Sequence, residues 1–278
     1  MTQHECIVCG ARSFQRHWDI LVKCGDCGFV TAPLEGPLDA ALLYNEAYFC
    51  GAEYLDYAAD ERLFKRNFRR RLRDLLRWKQ GGRLLEIGAA HGFFLDLARR
   101  HFEVVGVEIN PQAAAHARSR GLRVFSGDLL SVDAAELGGP LDVAVMLDVI
   151  EHLERPDLHL ARLAQLCPPG AVLLITTGDA GSWVARRRGR RWRLVHPPTH
   201  LHYFDRHTLG RLLARHGFEV REVRTAGVSR SLRQIAHSML AVQWQMPRVF
   251  EAVVRVLPAP WGFSLNLGDI MQVVAIRA

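Results

Sequence analysis

Leu84-Leu85-Glu86-Ile87-Gly88-Ala89-Ala90-His91-Gly92 is the stretch that decides the fold. An apolar run from Arg83 stops at Gly88, and from His91 to His101 the residues Phe94, Leu95, Leu97 and Ala98 recur at helical spacing. A glycine-bearing turn between strand and helix lets a ligand approach the backbone, and the helix offers free N–H groups. The pattern repeats downstream. Strand-like runs at Glu103–Ile109, Arg123–Gly127, Leu141–Leu147 and Ala171–Thr177 alternate with helical segments at Pro111–Arg120 and Arg155–Leu166, the first opened by Asn110-Pro111. This alternation predicts an α/β fold: a parallel sheet with helices on both faces. Near-continuous Val, Ile and Leu within the strands fits burial of both faces. Ligands of such sheets sit at the carboxyl ends of the strands, so functional residues are expected just after each one.

Three acids stand at those places. Glu108 ends the second strand, where a carboxylate can accept hydrogen bonds from both ribose hydroxyls. Asp128 follows the third, where it can receive an adenine amino group. Glu86 lies inside the first turn, awkward for a pyrophosphate and better suited to a cationic ligand with an amino group. The loop alone would serve a dinucleotide as well as S-adenosylmethionine (SAM). With the acids, the sequence resembles the class I SAM-dependent methyltransferases. Their first motif reads hydrophobic-hydrophobic-acid-x-Gly-x-Gly-x-Gly; Glu86, Gly88 and Gly92 match it, and Ala90 replaces the middle glycine. Glu108, Asp128 and the Pro168-Pro169-Gly170 turn match as well. The resemblance covers roughly residues 81–225 and the final strand Met271–Ala278. It implies a Rossmann-like, mostly parallel seven-stranded sheet. It also implies SAM held by Glu86, Gly88, Ala89, Ala90, Gly92, Glu108, Ile109, Asp128, Leu129 and Leu147. A domain for another nucleotide, or a degenerate non-binding copy, is the competing interpretation.

The fourth strand runs into Leu147-Asp148-Val149-Ile150-Glu151-His152. Asp148, Glu151 and His152 have i, i+3, i+4 spacing, which one helical turn would place on one side. Two carboxylates and an imidazole could bind a divalent cation, or His152 could act as a base near pH 7. A second group, His196-Pro197-Pro198-Thr199-His200-Leu201-His202, follows the fifth strand and returns to the same rim. The two segments resemble the quinone-biosynthesis O-methyltransferases and the small-RNA 2′-O-methyltransferases, which arrange such residues around a metal ion. By position Asp148, Glu151, His152 and His200 match that set, with Asp148 where those families usually have Glu. Three roles stay open: shaping the pocket, proton transfer by His152, His200 or His202 with Asp148, and a divalent cation such as Mg.

At the N-terminus, Cys6-Ile7-Val8-Cys9 and Cys24-Gly25-Asp26-Cys27 form two Cys-x-x-Cys knuckles with fourteen residues between them. Four thiolates are what a closed structural zinc site needs, and a closed site has no catalytic position. An iron–sulfur or redox role is the alternative. Residues 1–34 are therefore read as a zinc ribbon, and Cys50 and Cys167 as packed thiols. Residues 35–80 read as a helical linker or cap that carries the basic run Lys65-Arg66-Asn67-Phe68-Arg69-Arg70-Arg71. Residues 81–278 read as the methyltransferase domain, with acceptor-side insertions at 179–204 and 226–270. The arginine-rich stretch 186–193 is either an anion clamp or a solvated loop. The apolar stretch 235–257 reads as two amphipathic helices broken at Pro247. They would cap the acceptor pocket, pair with a second copy of the chain, or touch a membrane surface. Tyr44, Tyr48, Tyr54 and Tyr57 either close over the cofactor or simply pack.

The chain has 278 residues and a formal charge of +7, which favours anionic partners without choosing among them. It shows no signal peptide and no apolar run near the ~20 residues of a membrane span. With the paired cysteines this points to the cytoplasm. The layout is similar to bacterial methyltransferases that join paired cysteine knuckles to this domain, often in sugar, polysaccharide or natural-product tailoring. That resemblance implies O-methylation of a small molecule or glycan precursor, anionic or lipid-linked. RNA modification is the first alternative, although the arginines are split between residues 62–77 and 186–193. A non-catalytic SAM-binding partner protein is the second.

Overall fold

Strands whose residues are apolar on both sides must be covered on both faces, and the computed structural model shows this cover. It describes residues 5–33, 36, 43–45, 49, 54–243, 245–257 and 262–278. Tyr48, Cys50, Trp244 and most of the segment 34–53 lie outside the described residues.

The chain opens with β1 (Phe14–His17), β2 (Leu21–Cys24) and β3 (Val30–Thr31), and α1 (Glu61–Leu75) follows. Then come β4 (Arg83–Ile87), α2 (Phe93–Ala98), β5 (Glu103–Glu108), α3 (Pro111–Ser119) and β6 (Val124–Ser126). Next are β7 (Val143–Leu147), α4 (Pro156–Leu166), β8 (Val172–Gly178), α5 (Trp183–Arg188), β9 (His202–Tyr203) and α6 (Arg206–Arg215). The chain ends with β10 (Phe218–Thr225), β11 (Val228–Ser231), α7 (Leu232–Ala236), α8 (Pro247–Val256), β12 (Gly262–Leu265) and β13 (Ile270–Arg277). Asn110 caps α3 by accepting the Ala113 N–H at 2.7 Å, with Pro111 pre-set in the first turn, as the sequence suggests.

The main sheet has seven strands in the order β10-β13-β8-β7-β4-β5-β6. The last five are parallel, and β13 runs antiparallel to both β8 and β10. This is the mostly parallel seven-stranded sheet that the resemblance implies. Side chains alternate between two cores. Leu84, Val143 and Val145 face Leu72 and Leu75 of α1, Phe94 of α2 and Ala114 of α3. Leu85, Ala144 and Met146 face Leu160 of α4 and Leu209 and Leu213 of α6. Cys167 is buried in that second core, which fits a packed thiol. No helix among the described residues is long and apolar enough to cross a membrane.

The N-terminal sheet is not a detached module. Its order is β1-β2-β3-β9, so its last strand comes from the segment after β8. Val30 pairs with Tyr203 and Thr31 with His202, and the Ala32 N–H donates to the Leu201 carbonyl at 2.8 Å. Cys6, Val8, Cys24 and Phe29 extend the core beneath the main sheet. Phe29 is 1% exposed and packs on Phe204 with ring centroids 5.2 Å apart. Between Pro247 and Val256 the expected helix forms as α8, but the segment before it is α7 followed by a π-helical stretch, His237–Gln243. Phe29→Ala should cost about 3–5 kcal/mol in urea-induced unfolding, as large-to-small changes in a full core do. Unchanged stability would show that the N-terminal sheet does not share the core.

Candidate active site

A cavity of about 500 Å³ opens at the carboxyl ends of β4, β5, β6 and β7. Its nucleoside end starts at the loop after β4. Gly88 has φ +72°, and a Cβ there would lie 2.6 Å from Val149 Cγ2, so the position requires glycine. Ala90, where the resemblance has a glycine, also takes a left-handed backbone at φ +46°. Its N–H donates to Glu108 Oε2 at 2.7 Å, while Oε1 accepts the Asn110 N–H at 2.8 Å. Two amides thus fix the Glu108 carboxylate at the rim, with lone pairs left for a ligand. Gly88, Ala90, Glu108, Ile109, Asp128, Leu129 and Leu147 all line the cavity.

Three expected ligand contacts fall elsewhere. Ala89 is buried beneath the loop, and Gly92 packs against Ala117 and Leu122. Glu86 does not line the cavity either. It is buried under the turn and accepts a hydrogen bond from the Leu95 amide in α2. Burial, and then the charge of Glu108, hold its carboxyl well above the usual range. An acid between Leu85 and Ile87 on a doubly covered strand points into a core, so Glu86 supports the loop from below.

Asp128 lines the cavity with a partner the sequence reading missed. Its Oδ1 accepts the Leu130 N–H at 2.7 Å, and its Oδ2 lies 2.9 Å from His159 Nε2. His159 Nδ1 is 2.9 Å from the Arg155 carbonyl, so both ring nitrogens face acceptors and the imidazolium form is favoured. Burial would lower the His159 pKa, but the hydrogen bond and charge of Asp128 outweigh it and the net shift is upward. The available signal was a histidine on the inward stripe of α4, beside Leu160 and Leu163.

At the other end, the turn after β7 carries the acid–histidine cluster. The ligand atoms of Glu151, His152 and His200 lie within 4.8 Å of one another. Asp148 does not join them. At φ +56° it turns toward the cavity, and its Oδ1 accepts the Thr176 hydroxyl at 2.9 Å. His152 Nδ1 donates to the Thr199 carbonyl at 2.7 Å, which leaves the lone pair on Nε2. The Tyr44 hydroxyl sits 3.1 Å from the same nitrogen and donates to the same carbonyl. Burial lowers the His152 pKa to about 4, so the ring is neutral at pH 7. Burial, with the charge of Asp148, raises Glu151 to about 8, and one Glu151 oxygen has no hydrogen-bond partner. His200 stands behind His152, ring centroids 4.6 Å apart, and is not on the cavity wall.

His202 is a correction. On β9 it points to the side opposite the cavity, 3.0 Å from the Thr31 hydroxyl and against Phe29. Strand alternation carries it under the N-terminal sheet, away from any reacting atom. None of the 186–193 stretch lines the cavity, and Arg186, Arg187, Arg188, Arg190 and Arg191 are exposed, which fits the solvated alternative. Trp192 and Arg193 are instead anchored on Asp269 at 2.9–3.0 Å. Another wall of the cavity comes from α1, with Asp60 at its N-cap, and from β11, through Asn67, Phe68, Arg71, Ser229 and Arg230. Tyr44, Tyr54 and Tyr57 also line the cavity.

The four cysteines form a second cluster with all Sγ atoms within 4.8 Å. Cys6–Cys27 and Cys9–Cys24 are 3.6 Å apart, close to the ~3.8 Å edge of a tetrahedron with metal–sulfur bonds of ~2.3 Å. Gly10 and Gly28 close the knuckles with positive φ and donate to the Cys6 and Cys24 carbonyls. Burial pushes the Cys27 thiol up to about 11 without a cation nearby. The donor set and spacing fit zinc.

The Asp128–His159 pair gives a signed pH dependence. The His159 pKa lies above its ordinary 6.5 and the Asp128 pKa below its ordinary 3.8. The His159 contribution to stability is complete below pH 6.5 and is lost as pH rises through the folded-state value. The Asp128 contribution is lost only as pH falls below 3.8. Imidazole NMR should give a His159 midpoint above 6.5 that drops below it in Asp128→Asn. A wild-type midpoint below 6.5 would contradict the ion pair.

A family model described as a methyltransferase domain matches residues 59–223. Ubiquinone biosynthesis O-methyltransferases are similar over a shorter stretch. The protein of Cereibacter sphaeroides ATCC 17025 is 32% identical over 103 residues, 35% of this chain and 42% of that protein. That of Caulobacter sp. K31 is 33% identical over 104 residues, 35% and 41% respectively. The chain thus spans about two fifths of the length of these relatives. Among solved structures, magnesium protoporphyrin IX methyltransferase from Synechocystis PCC 6803 with bound SAM has a TM-score of 0.52 at 13% identity, covering 88% of this chain and 100% of that one. A SAM-dependent methyltransferase from Mesorhizobium loti has 0.50 at 18%, covering 75% and 96%. These likenesses share the fold, and the family match spans more than half of the sequence. The chain belongs to the methyltransferase domain family and has its class I, SAM-dependent architecture.

Proposed function

We propose that the protein transfers a methyl group from SAM to an oxygen of a small molecule or glycan precursor. The observation that carries this is the single cavity reaching from Glu108 and the Asp128–His159 pair to His152. SAM is an activated methyl carrier, so the protein mainly aligns donor and acceptor for an in-line displacement. In this reading Glu108 takes the ribose hydroxyls, Asp128 the adenine edge, and Leu129 and Ile109 flank the base. The acceptor's O–H proton passes to His152 Nε2. The new O–CH₃ bond forms as the sulfonium–methyl bond breaks, and S-adenosylhomocysteine leaves as a neutral thioether. Thr199 holds His152 in the tautomer that can accept this proton. The names of the ubiquinone-pathway relatives support oxygen as the acceptor atom.

A divalent cation such as Mg fits Glu151, His152 and His200, and the unpartnered Glu151 oxygen suits it. Asp148 falls outside that set. Bound there, the cation would take the His152 Nε2 lone pair that otherwise accepts the proton, so the metal and base roles are alternatives. The cysteine cluster holds structural zinc, which ties down a segment too small for its own core.

Labelled SAM incubated with a cell extract should place the label in small-molecule or glycan fractions. Label in RNA would favour the nucleic-acid alternative, and SAM binding without transfer to any fraction would favour a non-catalytic role. His152→Gln should lower the rate about 10²–10⁴-fold while leaving S-adenosylhomocysteine affinity unchanged. Wild-type activity in this variant would remove His152 as the base.

Elemental analysis should find one zinc per chain, lost in Cys24→Ser. Full transferase activity in EDTA, with the zinc retained, would rule out the divalent-cation role.

A further inference from the structure

The second cysteine knuckle is the turn of a hairpin. β2 ends at Cys24 and β3 begins three residues after Cys27, with Val22 opposite Thr31 and Lys23 opposite Val30. The Cys24 N–H donates to the Phe29 carbonyl at 2.8 Å, which closes the strands around the knuckle. A strand of two residues has little hold of its own, so β3 depends on what stands on either side of it. On one side are β2 and the cluster of four Sγ atoms. On the other is β9, with Val30 opposite Tyr203 and Thr31 opposite His202.

Thr31 is the fastening point, and it is buried at 1% exposure. Its hydroxyl donates to the Leu201 carbonyl at 3.1 Å, and the Ala32 N–H donates to the same carbonyl at 2.8 Å. With its proton used there, Oγ1 can accept from His202 Nδ1 at 3.0 Å. The Leu201 and His202 N–H groups in turn donate to the Glu151 carbonyl, one residue before His152. His152 Nδ1 donates to the Thr199 carbonyl, two residues before Leu201. From Trp192 to Leu201 no helix or strand forms. The carbonyl that orients His152 therefore takes its position from the anchors at the two ends of this stretch. One is the contact of Trp192 and Arg193 with Asp269, and the nearer one is Leu201.

We propose that Thr31 is a positioning residue for His152, and that the cysteine cluster, through the hairpin it closes, sets the geometry of the His152 end of the cavity. The cysteine-bearing sheet then serves the transfer reaction as well as the stability of its own segment. The nucleoside end is held differently. Glu108 and Asp128 are fixed by the amides of Ala90, Asn110 and Leu130 and by His159, and none of these belongs to the Thr31–Leu201–Glu151 chain of contacts. Loosening the hairpin disturbs proton acceptance and leaves nucleoside binding intact. The proposal rests on the reading of His152 as the proton acceptor and adds what holds it in place.

The test uses the full zinc-loaded chain saturated with S-adenosylhomocysteine, with no other divalent cation added. Wild type, Thr31→Val and Thr31→Ser are compared by amide hydrogen exchange and by NMR of the His152 ring. Thr31→Val should keep its zinc and its S-adenosylhomocysteine affinity, yet exchange the Leu201 and His202 amides about ten-fold faster. Its His152 Nδ1–H resonance should shift or broaden, and kcat should fall with the KM for SAM unchanged. Thr31→Ser, which keeps the hydroxyl, should restore most of each property. The zinc-free Cys24→Ser chain should reproduce the changes seen in Thr31→Val. Wild-type exchange at Leu201 and His202 in Thr31→Val, an unmoved His152 signal there, or loosening in Cys24→Ser confined to residues before Thr31 would each overturn the proposal. Should the variants fail to fold, exchange in the wild type decides: the Cys24, Ala32, Leu201 and His202 amides should open together, and separate openings would overturn it. Wild-type activity in His152→Gln would instead count against the base reading, a separately measured result.

Discussion

The main-chain carbonyl of Glu151 accepts two hydrogen bonds, from the Leu201 N–H at 2.9 Å and the His202 N–H at 3.1 Å. The His152 end of the cavity hangs on this junction. It fastens the turn after β7, which carries His152, to the segment after β8, which carries His200. The same segment continues as β9 into the N-terminal sheet, where Thr31 Oγ1 donates to the Leu201 carbonyl at 3.1 Å. Cysteine knuckles, histidine loop and the turn after β7 are therefore consecutive layers of one hydrogen-bonded stack. A short sheet with little core of its own is held between the four-cysteine cluster on one side and the α/β domain on the other. The histidines in turn gain a fixed frame, because a ring held by backbone carbonyls keeps its orientation without a ligand.

The second organising constraint is the handling of buried charge. Glu86 is an acid placed in a core; burial and the charge of Glu108 raise its pKa, and it accepts the Leu95 amide in the first turn of α2. His159 and Asp128 answer theirs by pairing. Glu108 uses two amide donors. Glu151 and His152 are both driven toward their neutral forms, which places a proton-holding acid and an unprotonated base side by side. Among the described residues Arg71 on the cavity wall donates to two neutral partners, Gln272 and the Gly227 carbonyl.

The seven-stranded sheet and the nucleoside end were legible because their causes are local. Apolar runs at strand length, a glycine where the backbone turns left-handed, Asn110-Pro111 at a helix start and acids at strand ends each leave a mark within a few residues. The cysteine cluster was legible for the same reason: two knuckles announce four thiolates whatever lies between them. Glu86 was misjudged because position in the motif said ligand, whereas the two covered faces of β4 said core. His202 was misjudged because three histidines in seven residues look alike in a sequence, and strand alternation sends neighbours to opposite sides.

Sequence by itself thus determined the class of fold and the paired-cysteine cluster, since periodicity and short-range spacing encode them. Only the tertiary structure decided which histidines share a site, that His159 backs Asp128, and that Asp148 leaves the Glu151–His152–His200 group. It also decided that Arg71 faces the cavity while the arginines of 186–193 do not. Those outcomes depend on contacts between residues about 30 to 200 positions apart, such as Asp128 with His159 or Arg71 with Gln272. Such contacts are fixed by how whole elements pack, and no local pattern carries them.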